Sequence, residues 1–207
     1  MSLKEVTFEK RVKTGFFFLV CFAVGYGFTN RFPVFAPKLL PLGSIDHFFG
    51  FHPWTVWIYM SDYFLIFMPL FLVHDKDFFK TMIKGFMWNF IIHFSIFFFF
   101  PTTMIRPALI ENNFTNFAFN ILRTFDTPNN CFPSQHVSLC FVVASCFWHY
   151  NRKSAPIFLL WASAIAVSTM TTKQHYFLDV LGGLIVALMI DVFVFRRRNI
   201  DPSTNSG

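Results

Sequence analysis

Six apolar runs recur along this chain: Thr14 to Thr29, Pro53 to Val73, Gly85 to Ile105, Ser134 to Tyr150, Ala155 to Thr171 and His175 to Phe195. A helix needs about 20 largely apolar residues to cross the hydrocarbon core of a bilayer, fewer where neighbours shield its ends. The runs therefore predict six membrane-crossing helices. An ordinary soluble fold is excluded by composition, since 55% of the 207 residues are hydrophobic, 14% are charged and 34 are Phe, more apolar surface than a soluble domain of that length buries. The expected fold class is all-α: a polytopic membrane protein, a six-transmembrane-helix bundle. No linker, charge block or internal repeat divides the chain, so residues 1–207 read as one membrane domain with 196–207 as a cytoplasmic tail.

Orientation follows from the basic residues, which gather in short clusters between the runs. Placing both termini in the cytoplasm puts Lys4, Lys10, Arg11, Lys13, Lys76, Lys80, Lys84, Arg152, Lys153, Arg196, Arg197 and Arg198 inside. Arg31, Lys38, Arg106, Arg123 and Lys173 stay outside, a split of 12 to 5 among the 17 Lys and Arg. The expected site is a bacterial inner membrane, multi-pass, with the chemistry on the periplasmic side. The net charge of +6 is explained by these topology signals rather than by a basic stripe, so no nucleic-acid partner is expected. Two segments, Asn30 to His52 and Arg106 to Pro133, are expected to lie along the membrane surface or fold over helix ends. The second contains the amphipathic stretch Asn116-Phe117-Ala118-Phe119-Asn120-Ile121-Leu122.

The basic N-terminal stretch before Gly15-Phe16-Phe17-Phe18-Leu19-Val20-Cys21-Phe22 could pass for a signal peptide, but no small-x-small site follows, and it reads as the first helix. Cys21, Cys131, Cys140 and Cys146 have no metal-ligand spacing. No metal, cofactor or structural disulfide is expected, and the oligomeric state stays open.

The chemistry-bearing residues fall at the outer ends of helices three to six. His175 and Asp179 are four residues apart, on one helical face. The carboxylate can fix the imidazole tautomer and leave the other nitrogen as nucleophile or base. Such a pair is also common as structure. Pro133-Ser134-Gln135-His136 precedes an apolar run, where Ser134 is a good N-cap and the free N–H groups of a helix start can bind phosphate beside His136. Arg106 stands outside against the topology bias, and guanidinium grips phosphate oxygens in bidentate fashion, although interfacial Arg usually just snorkels. Together these groups supply phosphoryl transfer through a phosphohistidine: His175 attacks, His136 protonates the departing oxygen, and Arg106 balances charge.

These residues resemble the type 2 phosphatidic acid phosphatase superfamily. Its Pro-Ser-x-His motif is similar to Pro133-Ser134-Gln135-His136. Its Ser-Arg-x5-His-x3-Asp motif is similar to Ser168-Thr169 followed by His175 and Asp179, and its Lys-x6-Arg-Pro motif is matched by Arg106-Pro107 alone. The resemblance covers roughly Pro53 to Phe195, with the catalytic motifs within 99–179. It implies a six-helix fold of that kind, a His175 nucleophile paired with Asp179, a His136 general acid, and phosphate held by Arg106 and Ser134. Phe99 and Thr169 stand where the motifs have Lys and Arg, and both changes remove positive charge from the expected pocket. Lys173 is a candidate to replace part of it. The losses resemble the sphingomyelin-synthase and inositol-phosphotransferase branches.

His47, His52, His74, His93 and His149 match no motif and read as structural. Asp62, nine residues past Pro53 and about 14 Å along a helix, needs a partner or a wet cavity at that depth. Three functions remain: a lipid phosphatase acting on a lipid phosphate monoester or diphosphate, a lipid phosphotransferase with an alcohol acceptor, and a non-catalytic transporter or scaffold. The lipid phosphate itself is open, because fold does not choose it.

Overall fold

The computed structural model describes residues 5–108 and 114–200. Helix α1 (Phe8–Arg31) begins at Thr7, whose hydroxyl accepts from the Lys10 N–H. Strand β1 (Lys38–Leu39) and the short helix α2 (Ser44–Phe48) follow. A 3₁₀ turn at Pro53–Thr55 leads into α3 (Val56–Met60) and, after a break at Ser61, α4 (Asp62–Leu72). Helix α5 (Lys76–Phe99), strand β2 (Thr102–Thr103) and α6 (Phe114–Phe125) come next. The last part comprises α7 (Gln135–Tyr150), α8 (Ala155–Thr171) and α9 (Phe177–Ile190), which continues through a π-helical turn (Asp191–Arg196) into α10 (Arg197–Ile200).

Four of these helical stretches are long and apolar enough to cross a membrane: Phe8–Arg31, Pro53–Leu72, Lys76–Phe99 and Phe177–Arg196. Helices α7 and α8, with 16 and 17 residues, reach only about 24–26 Å at 1.5 Å per residue. The six expected runs thus become four helices of crossing length and two shorter apolar ones. The third differs most from expectation. It starts at Lys76 rather than Gly85, capped by the Asp75 carboxylate on the Phe78 N–H at 2.6 Å, and it ends at Phe99 because Pro101 disfavours helical geometry in the residue before it. Lys4, and the expected tail after Ile200, lie outside the described residues.

Helix α7 is central, packing against α4, α5, α8 and α9. Most of its side chains are buried, which suits a short helix screened from lipid on nearly every side. By contrast, α1 leaves Phe16, Phe17, Leu19, Val20, Val24 and Phe28 exposed, the pattern of a helix whose outer face meets hydrocarbon. Gly183 brings α9 onto the start of α7: a Cβ there would lie 2.5 Å from the Ser134 carbonyl oxygen, too close for any side chain. That contact seats the Ser134 N–H on the Asp179 carbonyl at 2.9 Å. The two motif segments are therefore tied backbone to backbone.

The connecting segments interlock at the same end. β1 pairs with β2 in parallel, and residues 128–132 close on the other side through Asn130 N–H to Thr102 O at 2.9 Å and Met104 N–H to Pro128 O at 3.1 Å. The amphipathic helix α6 buries Ala118, Phe119 and Leu122 against Val56 and Tyr59 of α3, with Phe114 stacked on Trp57 at its edge and Phe117 exposed. It folds over helix ends, as its sequence pattern suggested.

Candidate active site

Two imidazoles meet where α7 starts and α8 turns into α9. At the start of α7, the Ser134 side chain caps the Val137 N–H, placing His136 in the first turn. At the other side, the α8 end is closed by the His175 and Gln174 N–H groups donating to the Thr169 carbonyl at 3.1 and 3.0 Å, with Lys173 in the left-handed region at φ 54°. The result places His175 Nε2 3.4 Å from His136 Nδ1. Behind His175, Asp179 Oδ2 lies 3.4 Å from Nδ1 and accepts the Tyr176 N–H at 2.9 Å, so the carboxylate is held in place by the first turn of its own helix. Behind His136, the Tyr59 hydroxyl contacts the ring at 3.0 and 3.3 Å and Asp62 Oδ2 lies 3.8 Å from Nε2.

The imidazoles open on a narrow cavity of about 80 Å³ between α1, α4, α5 and α7. Arg106, Asp126, Asp62 and Gln135 join the histidines at its polar end, while Phe18, Phe22, Ile66, Phe67, Phe86 and Phe90 make its walls apolar. Arg106 donates to Asp126 twice, to Oδ2 at 2.9 Å and to the carbonyl at 2.5 Å. The Tyr26 hydroxyl donates to the other carboxylate oxygen at 2.7 Å. Arg106 keeps a buried Nε without a partner among the described residues. The guanidinium is thus present at the histidines' cavity but engaged.

The other expected phosphate ligands take different places. Ser134 is fully buried as the N-cap, behind the cavity lining. Lys173 donates from Nζ to the Asp46 carbonyl at 2.6 Å and is not among the residues lining the cavity; partial burial lowers its pKa. Asp46 also accepts the Phe177 N–H at 2.6 Å, so Lys173 helps to hold α2 against the α8–α9 turn. The two motif departures are equally plain in space. Phe99 is exposed on the apolar surface, and Thr169 is buried with its hydroxyl donating to the Ala166 carbonyl at 2.7 Å.

Several residues of the site carried no signal as catalytic candidates. Tyr26 belongs to no motif, and Tyr59 and Asp126 fall in stretches that resemble one branch of the family without a role assigned to either residue. Gln135 and Gln174 carry no catalytic pattern, yet both are buried with side-chain amides that have no hydrogen-bond partner among the described residues, unusual for polar groups away from water. His93, read as structural, hydrogen-bonds the Asn89 carbonyl at 2.8 Å beside the start of α7, where Asn89 donates to Ser138 at 2.6 Å.

The comparison with known proteins agrees with this geometry: the profile of the PAP2 superfamily matches residues 43–193. The chain belongs to the PAP2 superfamily. Tyr59, Asp62, Arg106, Asp126, His136, His175 and Asp179 fall inside that match, and Tyr26 lies outside it. Bacitracin transport permease protein BcrC of Bacillus licheniformis is 31% identical over 67 residues, 32% of this chain and 33% of that protein. The aligned part therefore spans about a third of that relative's length. No solved structure matches the chain. Superfamily membership and the apolar helices make this chain a membrane protein of the PAP2 superfamily.

Proposed function

We propose that this PAP2 protein is a lipid phosphatase that hydrolyses a lipid phosphate monoester or diphosphate through a phosphohistidine on His175. The observation that carries the reading is the 3.4 Å approach of His175 Nε2 and His136 Nδ1 at the polar end of an apolar-walled cavity that also holds Arg106. His175 Nε2 forms the bond to phosphorus, with Asp179 orienting the ring. The ester P–O bond breaks, and the leaving oxygen takes a proton from His136. Water, deprotonated by His136, then displaces His175 from phosphorus. Arg106 exchanges Asp126 for phosphate oxygens and, with the N–H groups at the α7 start, balances their charge. Lys173 serves as a loop anchor in this mechanism.

The charge inventory favours a second reading, a lipid phosphotransferase. Arg106 is the one Lys or Arg lining the cavity among the described residues, beside two carboxylates and the neutral Gln135 amide. That environment suits a singly charged phosphodiester better than a dianionic monoester. Under either reading the protein sits in a bacterial inner membrane with its six apolar helices crossing and the site on the periplasmic side, as the 12 to 5 split of basic residues implies.

Incubating purified protein with a panel of lipid phosphates and phosphodiesters, with and without alcohol acceptors, and weighing the products tests both. Inorganic phosphate is the expected product from a monoester or diphosphate. A new phosphodiester formed only with an alcohol would replace hydrolysis by transfer. Intact lipid that nevertheless binds would point to transport, the activity named for BcrC, and would end both enzymatic readings.

A further inference from the structure

We propose that Asp62 positions His136, so that the site is a back-to-back pair of carboxylate-imidazole units, Asp62 with His136 and Asp179 with His175. This rests on the phosphatase-type reading above. Asp62 is fully buried, lines the cavity, and neither carboxylate oxygen has a hydrogen-bond partner among the described residues, beyond the electrostatic pull of the Tyr63 N–H. A carboxylate so placed needs a donor. The group that faces it is His136 Nε2, at 3.8 Å.

Among the described residues, Asp62 is the carboxylate within ion-pair distance of the ring. Tyr59 Oη is 3.0 Å from Nε2 and 3.3 Å from Nδ1; nearly equidistant, it braces the ring without selecting either nitrogen. His175 faces Nδ1. Placing the Nε2 proton toward Asp62 leaves Nδ1, the nitrogen facing His175, to carry the transferable proton when the ring is charged. The break at Ser61 makes this possible. There Ser61 Oγ accepts from Trp161 Nε1 at 2.8 Å while donating to the Ile58 carbonyl at 2.6 Å, and Asp62 opens a new helix from the buried side of the turn.

The isosteric variant Asp62→Asn keeps the shape and replaces one carboxyl oxygen by an amide donor. With a lipid substrate its kcat should fall roughly 10- to 100-fold, as for carboxylates behind functional histidines, with KM little changed. An aryl phosphate, whose leaving group needs little protonation, should recover most of that loss. The double variant Asp62→Asn/His136→Ala should be no slower than His136→Ala. An equal loss with both leaving groups, or losses that add in the double variant, would overturn the proposal. A readout without turnover separates it from the function itself: ¹⁵N spectra of His136 should show a protonated Nε2 in the wild type and a changed tautomer balance in Asp62→Asn. A wild type that turns over nothing would end the phosphatase reading, whereas unchanged His136 spectra would end this one.

Discussion

Two buried carboxylates on apolar helices, Asp62 and Asp191, lie at different ends of the bundle and are treated in opposite ways. Asp191 is saturated. Its Oδ1 accepts from Ser145 and from His149 Nε2 at 2.8 Å, and its Oδ2 takes Arg196 Nε at 2.7 Å. Arg11 at the same end is similarly engaged, donating to the Leu70 and Val73 carbonyls. At the site end, by contrast, Asp62, Gln135, His175 Nδ1 and one Asp179 oxygen lack hydrogen-bond partners among the described residues. A buried polar group left without a partner costs about 1–3 kcal/mol, so a fold that saturates one end and leaves the other unmet has reserved the second for a ligand or a reaction.

The comparison breaks most sharply at His175. His175→Ala should lower turnover roughly 1,000-fold or more and abolish covalent capture of phosphate, with the melting temperature nearly unchanged; an aryl phosphate should not restore it. His136→Ala should lose about 100-fold or more with a lipid substrate yet be partly rescued by the aryl phosphate. Rescue of His175→Ala in place of His136→Ala would reverse their roles.

Glycines sharpen the contrast. Gly183→Ala sets a Cβ against the Ser134 backbone and should cost about 1–3 kcal/mol together with most of the activity, because the α7–α9 contact sets the spacing of the histidines. Gly85→Ala, whose Cβ would meet the Phe195 ring at 3.1 Å, leaves a side chain to yield and should keep nearly full turnover. Comparable loss of activity in the two would show that the site does not depend on that contact.

Asp191→Asn should do the reverse of the histidine variants: lower stability by about 1–3 kcal/mol, a fall of several degrees in detergent melting, with kcat within about twofold. A large loss of kcat at normal stability would make the saturated end functional as well. The smallest effect concerns Cys131, whose thiol donates to the Pro128 carbonyl at 3.2 Å and is pushed up in pKa by burial. Raised above its ordinary value, it stays a thiol at pH 8 and should resist maleimide until the protein is denatured. Rapid labelling of the native protein would mean that residues 128–132 open readily.

The helical class, the apolar runs and the pairing of His175 with Asp179 were legible in sequence because each is local: hydrophobic run length sets the first two, and a four-residue helical spacing sets the third. The fifth run coincided with α8 at both ends, whereas the third was misplaced at its start, since Lys76, Lys80 and Lys84 hide a helix end from a hydropathy reading although they extend it by simple geometry. Charge on the phosphate could only be counted, not located. Whether Arg106 is free or held by Asp126, twenty residues on, and whether Lys173 reaches the cavity or Asp46, depend on loops whose contacts join distant parts of the chain. Asp62 marks the boundary most clearly. Sequence alone determined that a carboxylate stands inside an apolar run and needs a partner; only the packing of α4 on α7 decided that it faces His136 at 3.8 Å, because which faces of two helices meet is set by side-chain fit across the bundle and not by the spacing within either helix.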